Sequence, residues 1–348
     1  MTPANTEKLL NQILSILTPR QKEVIERRYG LKDGRAITLA ELGKGHGITR
    51  ERVRQIEAGA IKDLRGFIKS GILNEFLKTV NEHIKNMGGA RREALLLADL
   101  QLLLGEKPSP IFDSQIKFLL EMAGCQKYHG ENDRFYSYWY QEESEDKKIV
   151  SFISKLVKYM KVKKEKVLSH ASIDKVFSEA IKPHNLKDLV ALNFISLSKD
   201  FHINSFGDFG LSDWSEINPK TIRDWAYMVL KKEKKPLHFA EIARTIENYK
   251  KSASHVNAQT VHNELIKDGK FVLVGRGIYG LQELGYTPGT AKEVMMRILK
   301  ENGPLKPRDL MEFVLKERVF KKNTIFINLQ NKKHFNRLDD GRYAVNLA

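Results

Sequence analysis

The most chemically suggestive side chains in this sequence lie close together near residue 50 and combine guanidinium, amide and carboxylate groups. They are Thr49, Arg50, Glu51, Arg52, Arg54 and Gln55. In the major groove of DNA, arginine can form paired hydrogen bonds with guanine, and glutamine can form them with adenine. The simpler alternative is a charged helix face that only contacts water. The helix signals around these residues favour DNA recognition.

Those signals place the cluster at the start of a helix. Three threonines mark predicted helix starts, namely Thr18, Thr38 and Thr49. Gln21 and Glu41, three residues after the first two, complete capping boxes. An upstream helix is predicted over Asn5–Leu17, Gly30 ends the next helix, and Gly43–Gly47 is predicted to form a turn. A short helix, a glycine turn and a longer helix form a helix-turn-helix, whose second helix meets base edges with its N-terminal part.

The sequence around this motif is also recognisable. The segments that carry the resemblance are Leu17–Gln21, Arg28–Leu31, Thr38–Gly43 and Ile48–Ala58. They resemble region four of bacterial housekeeping sigma factors, nearly continuously from Leu17 to Arg65. The resemblance implies binding to the promoter −35 element and docking on the flap of the RNA polymerase beta subunit. The DNA contacts it implies are Thr49 at the helix start, base contacts by Arg50, Glu51, Arg54 and Gln55, and phosphate contacts by Arg52 and Lys62.

The sequence departs from this family in two ways. Gly59 stands where the family usually has a lysine, and Gly45 and Gly47 predict a flexible turn. A glycine within a helix costs about 0.5–1 kcal/mol, so affinity or site preference is expected to differ. The −10-reading and polymerase-clamp regions should precede this module, whereas about sixteen residues precede it here. The chain is therefore not expected to act as a complete sigma factor.

The last 128 residues contain two copies of one pattern. At a constant offset of 64, Thr260, Leu265, Phe271, Gly277 and Tyr279 recur as Thr324, Leu329, Phe335, Gly341 and Tyr343. Each copy predicts three helices followed by a β-hairpin, which is the order of a winged helix. The first copy resembles the HARE-HTH family, which includes the N-terminal domain of the RNA polymerase delta subunit and proteins that accompany chromatin or DNA modification. Such modules contact either DNA or protein, and both alternatives stay open.

Basic residues of these copies are candidate DNA contacts. Gly275–Gly280 matches the G-x-G-x-x-G pattern of dinucleotide sites, but strand-like residues lie on both sides of it, so a wing turn is predicted. Arg276 at its tip is expected to contact a phosphate or the minor groove. Lys321 and Lys322, at the start of the third helix of the second copy, are expected to contact phosphates.

The predicted fold class is mainly α, with serial helix-turn-helix and winged-helix domains that carry small β-hairpin wings. The segment Leu119–Tyr140 has the same order of helix, strand, loop and strand, and Phe194–Leu197 followed by Gly207–Leu211 echoes the wing of the first copy. The predicted domains are a sigma-region-four-like module at 1–71, diverged winged helices at 75–142 and 147–215, a HARE-HTH module at 221–285 and the second repeat at 289–348.

Composition narrows the function. Lys and Arg number 59 against 43 Asp and Glu, and a net charge of +16 favours a polyanionic partner. No apolar run approaches the roughly 20 residues that cross a bilayer. The single cysteine, Cys125, excludes a disulfide framework and a Cys-rich zinc site, and it is predicted to be a buried, inert thiol. The histidines are scattered and no isolated carboxylate pair occurs, so no metal site, cofactor or enzymatic activity is predicted.

The sequence therefore predicts a sequence-specific, DNA-binding bacterial transcription regulator that acts at promoters with RNA polymerase. A cytoplasmic, nucleoid-associated location is expected. Two alternatives remain: a nucleoid-architectural protein without promoter choice, and an accessory subunit of a restriction or modification enzyme. Activation and repression are not distinguished.

Overall fold

A computed structural model describes residues 6–169, 178–179, 181–182, 185–250, 255–318, 320 and 322–346. Helices dominate these residues, and the strands form small sheets of two or three strands. The predicted mainly α fold class is confirmed. The chain divides into two compact units, one of Met1–His202 with Phe209–Ser212 and the other of Ile203–Asp208 with Asp213–Ala348.

The first part of the chain opens with the helix-turn-helix. Its helices are α1 (Thr6–Leu14), α2 (Pro19–Arg28), α3 (Leu39–His46), α4 (Arg50–Ile68) and α5 (Asn74–Asn86). There follow β1 (Ala90–Arg92), α6 (Glu93–Leu104), α7 (Pro110–Ala123), β2 (Lys127–His129), β3 (Tyr138–Tyr140), α8 (Glu143–Val162), α9 (Lys164–Ser169), α10 (Asp188–Leu197), β4 (Phe201–Ile203) and β5 (Phe209–Leu211). Strands β1, β3 and β2 form an antiparallel sheet in that order, with Trp139 opposite both Arg91 and Tyr128.

The second part of the chain contains the two sequence repeats. The first has α11 (Ile222–Glu233), β6 (Leu237–His238), α12 (Phe239–Lys250), α13 (Ala258–Lys267), β7 (Phe271–Gly275) and β8 (Ile278–Leu281). The second has α14 (Ala291–Asn302), α15 (Pro307–Glu317), α16 (Lys322–Leu329), β9 (Phe335–Arg337) and β10 (Tyr343–Val345). Each repeat thus has the three helices and the hairpin of a winged helix, and each has its own hydrophobic core.

The predicted helix caps are present. The Thr18 hydroxyl accepts a hydrogen bond from the Gln21 amide, and the Thr38 hydroxyl accepts one from the Glu41 amide, each at 3.3 Å. Both capping boxes are complete. Because a capping box satisfies two amides that otherwise lack partners, the starts of α2 and α3 are determined locally.

Three predicted boundaries are corrected by packing. Helix α1 ends at Leu14 because the chain turns before the next cap. Helix α3 continues through Gly43 to His46, and only Gly47 adopts a left-handed turn conformation. A Cβ on Gly43 would lie 2.7 Å from the Ile48 carbonyl oxygen, so this glycine permits close packing. The segment Phe194–Leu197 ends α10, and the first strand of the following hairpin is β4 instead.

Two cores organise the helix-turn-helix. A small one contains Val24, Leu42 and Val53, one from each of α2, α3 and α4. A much larger one begins in α1, includes Leu64 near the end of α4, and continues to Trp139 in β3. The helix-turn-helix therefore shares its main core with the residues that follow it.

Candidate nucleic-acid interface

The N-terminal end of α4 presents the predicted DNA-contacting residues to solvent. Thr49 caps the helix by accepting a hydrogen bond from the Arg52 amide at 3.2 Å. All seven predicted contacts on this helix and its cap are exposed, namely Thr49, Arg50, Glu51, Arg52, Arg54, Gln55 and Lys62. A helix N-terminus carries partial positive charge, which adds to the attraction of arginine for phosphate.

Two side-chain pairs organise this surface. Arg54 donates hydrogen bonds to both carboxylate oxygens of Glu51, from Nε at 2.9 Å and from Nη2 at 2.7 Å. Arg52 Nη1 donates to Gln55 Oε1 at 3.0 Å. Hydrogen bonding to Arg54 holds the pKa of Glu51 below its ordinary value. Because both members of each pair are exposed, these contacts contribute little to the stability of the fold.

Packing and polar contacts with α2 and α3 fix the orientation of α4. Val53 is fully buried against α2 and α3, so the neighbouring residues on the other side of the helix must face solvent. Gln21 Nε2 donates to Asp63 Oδ2 at 3.1 Å, and Arg28 Nε lies 3.3 Å from Glu57 Oε1. These contacts connect α2 to the middle and end of α4, which leaves the helix start free to contact a ligand.

Gly59 lies within α4, at a position with room for a side chain. A Cβ there would have Gln21 Nε2 as its nearest neighbour, at 3.9 Å, which is ordinary van der Waals contact. Its φ is not positive, so an L-residue fits the backbone without strain. The structure gives no packing reason for glycine at this position.

The sequence did not predict that α7 would cover the face of this module that lies away from the predicted DNA contacts. Helix α7 packs against both α1 and α4. Gln115 Nε2 donates to the carbonyl oxygen of Leu31 at 3.1 Å, and the rings of Tyr29 and Phe118 meet edge to face at 4.9 Å. A Cβ on Gly34 would lie 2.7 Å from the Pro110 Cβ. The module and α7 are therefore tightly interlocked.

The electrostatic surroundings of Tyr29 reflect the same packing. Burial, together with the carboxylates of Glu121 and Glu57, raises the pKa of Tyr29 well above its ordinary value. Glu121 belongs to α7 and Glu57 to α4. Tyr29 therefore lies close to carboxylates of both helices.

In the second unit, the remaining predicted contacts lie on the two repeats. Arg276 is exposed at the turn between β7 and β8, so the glycine-rich segment forms a wing turn as predicted. Gly277 has a φ of 71°, and a Cβ there would lie 2.7 Å from His238 Nε2. Lys322 is exposed at the first residue of α16, whereas Lys321 lies outside the described residues. These residues and those of α4 lie in different units.

The structure also exposes polar side chains that are not among the predicted DNA contacts. Gln259, Thr260 and Asn263 are exposed on α13, the third helix of the first repeat. A comparison of the two repeats at the offset of 64 would have identified them, because buried Val261 and Leu265 define the opposite face of the helix.

Other predictions concern groups outside this surface. Cys125 is exposed, not buried as predicted, because the neighbouring Gln126 takes the inward-facing position between α7 and β2. Desolvation nevertheless raises the pKa of the Cys125 thiol, which disfavours the reactive thiolate.

In the described part of the chain, no three His, Cys, Asp or Glu side chains are grouped to hold a metal ion. The described helices include none that is long and apolar enough to span a membrane.

Two segments match known families. Residues 13–66 match the family described as Sigma-70, region 4, and residues 220–284 match the HARE-HTH family, an HTH domain whose description includes ASXL and restriction endonuclease. These are DNA-binding domains, and the families themselves are not enzymatic. The matches agree with the two resemblances seen in the sequence.

The curated relatives match only the first of these segments. RNA polymerase sigma factor SigA1 of Synechococcus elongatus is 48% identical over 69 residues, which cover 20% of this chain and 17% of that protein. RNA polymerase sigma factor SigA of Clostridium acetobutylicum is 52% identical over 71 residues, which cover 20% of this chain and 18% of that protein. The chain thus spans about a fifth of the length of these relatives. It combines a segment of the sigma-70 region 4 family with a segment of the HARE-HTH family.

Proposed function

We propose that this protein is a sequence-specific DNA-binding transcription regulator that acts at promoters together with RNA polymerase, in the bacterial cytoplasm and on the nucleoid. The observation that carries the proposal is the exposed start of α4, where Arg50, Arg54 and Gln55 project from a capped and firmly packed helix. Arginine and glutamine are the side chains that distinguish guanine and adenine by paired hydrogen bonds.

The mechanism is binding without chemistry. Helix α4 enters the major groove of a −35-like element, and Arg54 exchanges its pair with Glu51 for a base edge. The released Glu51 carboxylate becomes free to accept a hydrogen bond from a cytosine amino group. Thr49 and Arg52 lie at the groove edge, where Arg52 and Lys62 contact phosphates that fix the position of the helix without reading sequence.

The winged helices add affinity in this proposal. Arg276 at the wing turn and the Lys321–Lys322 pair provide positive charge for phosphates. Residues 221–285 hold 11 basic against 7 acidic residues, and residues 289–348 hold 13 against 7. The intervening residues 75–142 hold 8 against 10, so DNA contact is assigned to the two ends of the chain. The division into five modules, at 1–71, 75–142, 147–215, 221–285 and 289–348, is part of this proposal.

Association with polymerase is proposed because the first segment matches sigma factors, and the beta flap is the proposed contact. Helix α7 already buries the apolar side of the module that α1 and α4 form. A polymerase segment would therefore bind a surface that α7 leaves exposed, or would have to displace α7.

Footprinting on a set of promoter fragments tests the proposal. Protection should centre on −35-like sequence with wild type, and Lys62→Gln should weaken protection on all fragments alike because a phosphate contact carries no base preference. Retention of RNA polymerase by the immobilised full chain tests the association. Uniform coating of every fragment would instead support an architectural DNA-binding protein, the alternative that the net charge of +16 favours.

A further inference from the structure

The third helices of the two repeats occupy equivalent positions but expose different chemistry. Helix α13 exposes Gln259, Thr260 and Asn263. At the offset of 64, helix α16 exposes Asn323, Thr324 and Ile327, and Ile327 is 68% exposed. An amide in the first copy is thus an aliphatic side chain in the second, at a position where both face solvent. Because both side chains are exposed, packing requires neither residue. We infer that the two helices differ here because they contact different ligands.

The amides of α13 are displayed together on one face. Asn257 caps the helix by accepting hydrogen bonds from the amides of Gln259 and Thr260, at 2.8 and 3.3 Å. Gln259 Nε2 donates to Asn263 Oδ1 at 3.2 Å, which places both side chains on the same exposed surface one turn apart. Val261 and Leu265 are fully buried, so this orientation is fixed by the core.

The N-terminal end of this face suits a polyanion, and the Glu264 carboxylate further along α13 is paired with Arg223 and Lys267. The first turn of α13 contains no acidic residue, and the helix N-terminus itself carries partial positive charge. Arg276 is exposed on the wing of the same winged helix. The first two turns of α13 expose amide and hydroxyl groups, and the exposed aliphatic residue of the helix, Ile266, comes only in its last turn. Protein interfaces are instead centred on buried aromatic or apolar anchors.

We propose that α13 reads bases of duplex DNA, with Gln259 and Asn263 recognising adenine. Glutamine and asparagine pair bidentately with adenine in the major groove, and Thr260 can contact a neighbouring base or the thymine methyl group. The chain then has two base-reading helices, α4 and α13, whereas α16 contributes charge without an amide at the Ile327 position. This inference rests on the proposed function, because it assumes that the protein binds DNA.

Selection of duplexes from a random library by the full-length protein tests the inference. Wild type should enrich two motifs, one that depends on α4 and an adenine-containing one that depends on α13. Asn263→Ile, which introduces the residue of the second copy, and Gln259→Ala should each lose the adenine-containing motif and weaken binding to it about tenfold. Arg54→Ala should lose the other motif only. Asn323→Ala is the matched control for Gln259→Ala, since Asn323 is the exposed amide of α16 at the position that corresponds to Gln259. This variant should retain both motifs.

Two results would overturn the inference and leave the proposed function intact. One is enrichment of a single motif that depends on Arg54. The other is a second motif that Asn263→Ile and Gln259→Ala bind as wild type does. If no motif is enriched at all, the inference fails together with sequence-specific binding by α4.

Discussion

Replacing Arg54 by alanine separates DNA recognition from folding. The Arg54 guanidinium is paired with the Glu51 carboxylate of the same helix, and both side chains are more than half exposed. An exposed ion pair of this kind contributes little to stability. We therefore expect the thermal unfolding midpoint of Arg54→Ala to stay within about 2 °C of wild type.

The effect on DNA should be much larger. One paired hydrogen-bond contact to a base corresponds to a loss of about 5-fold to 150-fold in affinity when it is removed. The loss should be confined to the preferred duplex, and affinity for a scrambled duplex should change several-fold less. Fluorescence anisotropy on both duplexes, at one fixed salt concentration, measures the two affinities.

Arg65→Ala is the matched control. Arg65 is an exposed arginine of the same helix, 11 residues further along, and its replacement removes the same charge without touching the proposed recognition surface. Preferred-duplex affinity should change little in this variant. An equal loss for Arg54→Ala on the preferred and scrambled duplexes would refute base reading by this residue. A loss no greater than that of Arg65→Ala would refute any special contact.

Three further predictions concern other parts of the chain. Gly59→Ala should raise the free energy of unfolding by about 0.5–1 kcal/mol in chemical denaturation, because the position has helical backbone and room for a Cβ. Phe118→Ala should lower the free energy of unfolding by about 3–5 kcal/mol, since the ring is buried in the core that α7 shares with the helix-turn-helix. A denaturation midpoint equal to that of wild type would contradict the shared core. Replacing Lys322, Lys332 and Lys333 by glutamine should flatten the salt dependence of DNA affinity by about 0.9 in slope for each phosphate that is no longer neutralised. Base preference should remain, and an unchanged slope would mean that these lysines do not contact DNA.

The parts of the fold that the sequence predicted are those decided within a few residues. Thr18 and Thr38 cap their helices with a partner three residues away, so these caps do not depend on a distant contact. The repeats were predictable for a related reason. Because one pattern occurs twice, the same local fold is predicted for both copies. Both predicted hairpins are present, and they contain Tyr279 and Tyr343.

The parts that the sequence did not predict depend on distant packing. Gly43 resembles a turn residue, yet it lies inside α3 because the start of α4 approaches it closely. The apolar run Phe194–Leu197 is short enough to suit a strand or a helix, and neighbouring elements decide in favour of α10. The hydrogen bond from Gln115 to Leu31 joins residues 84 positions apart, so the sequence near either residue does not predict it.

The hydrogen bond from Gln115 to Leu31 gives the nearly neutral middle of the chain a structural role. A helix-turn-helix held only by Val24, Leu42 and Val53 has too small a core to orient α4 firmly. The C-terminal half of α4 is instead packed through Leu64 into the core completed by α7. The exposed arginines at the start of α4 and the residues of α7 that pack against this helix are therefore in different segments of the first unit. Charge distribution alone assigns residues 75–142 no part in DNA binding, whereas packing makes α7 a support of the helix that we propose reads the bases.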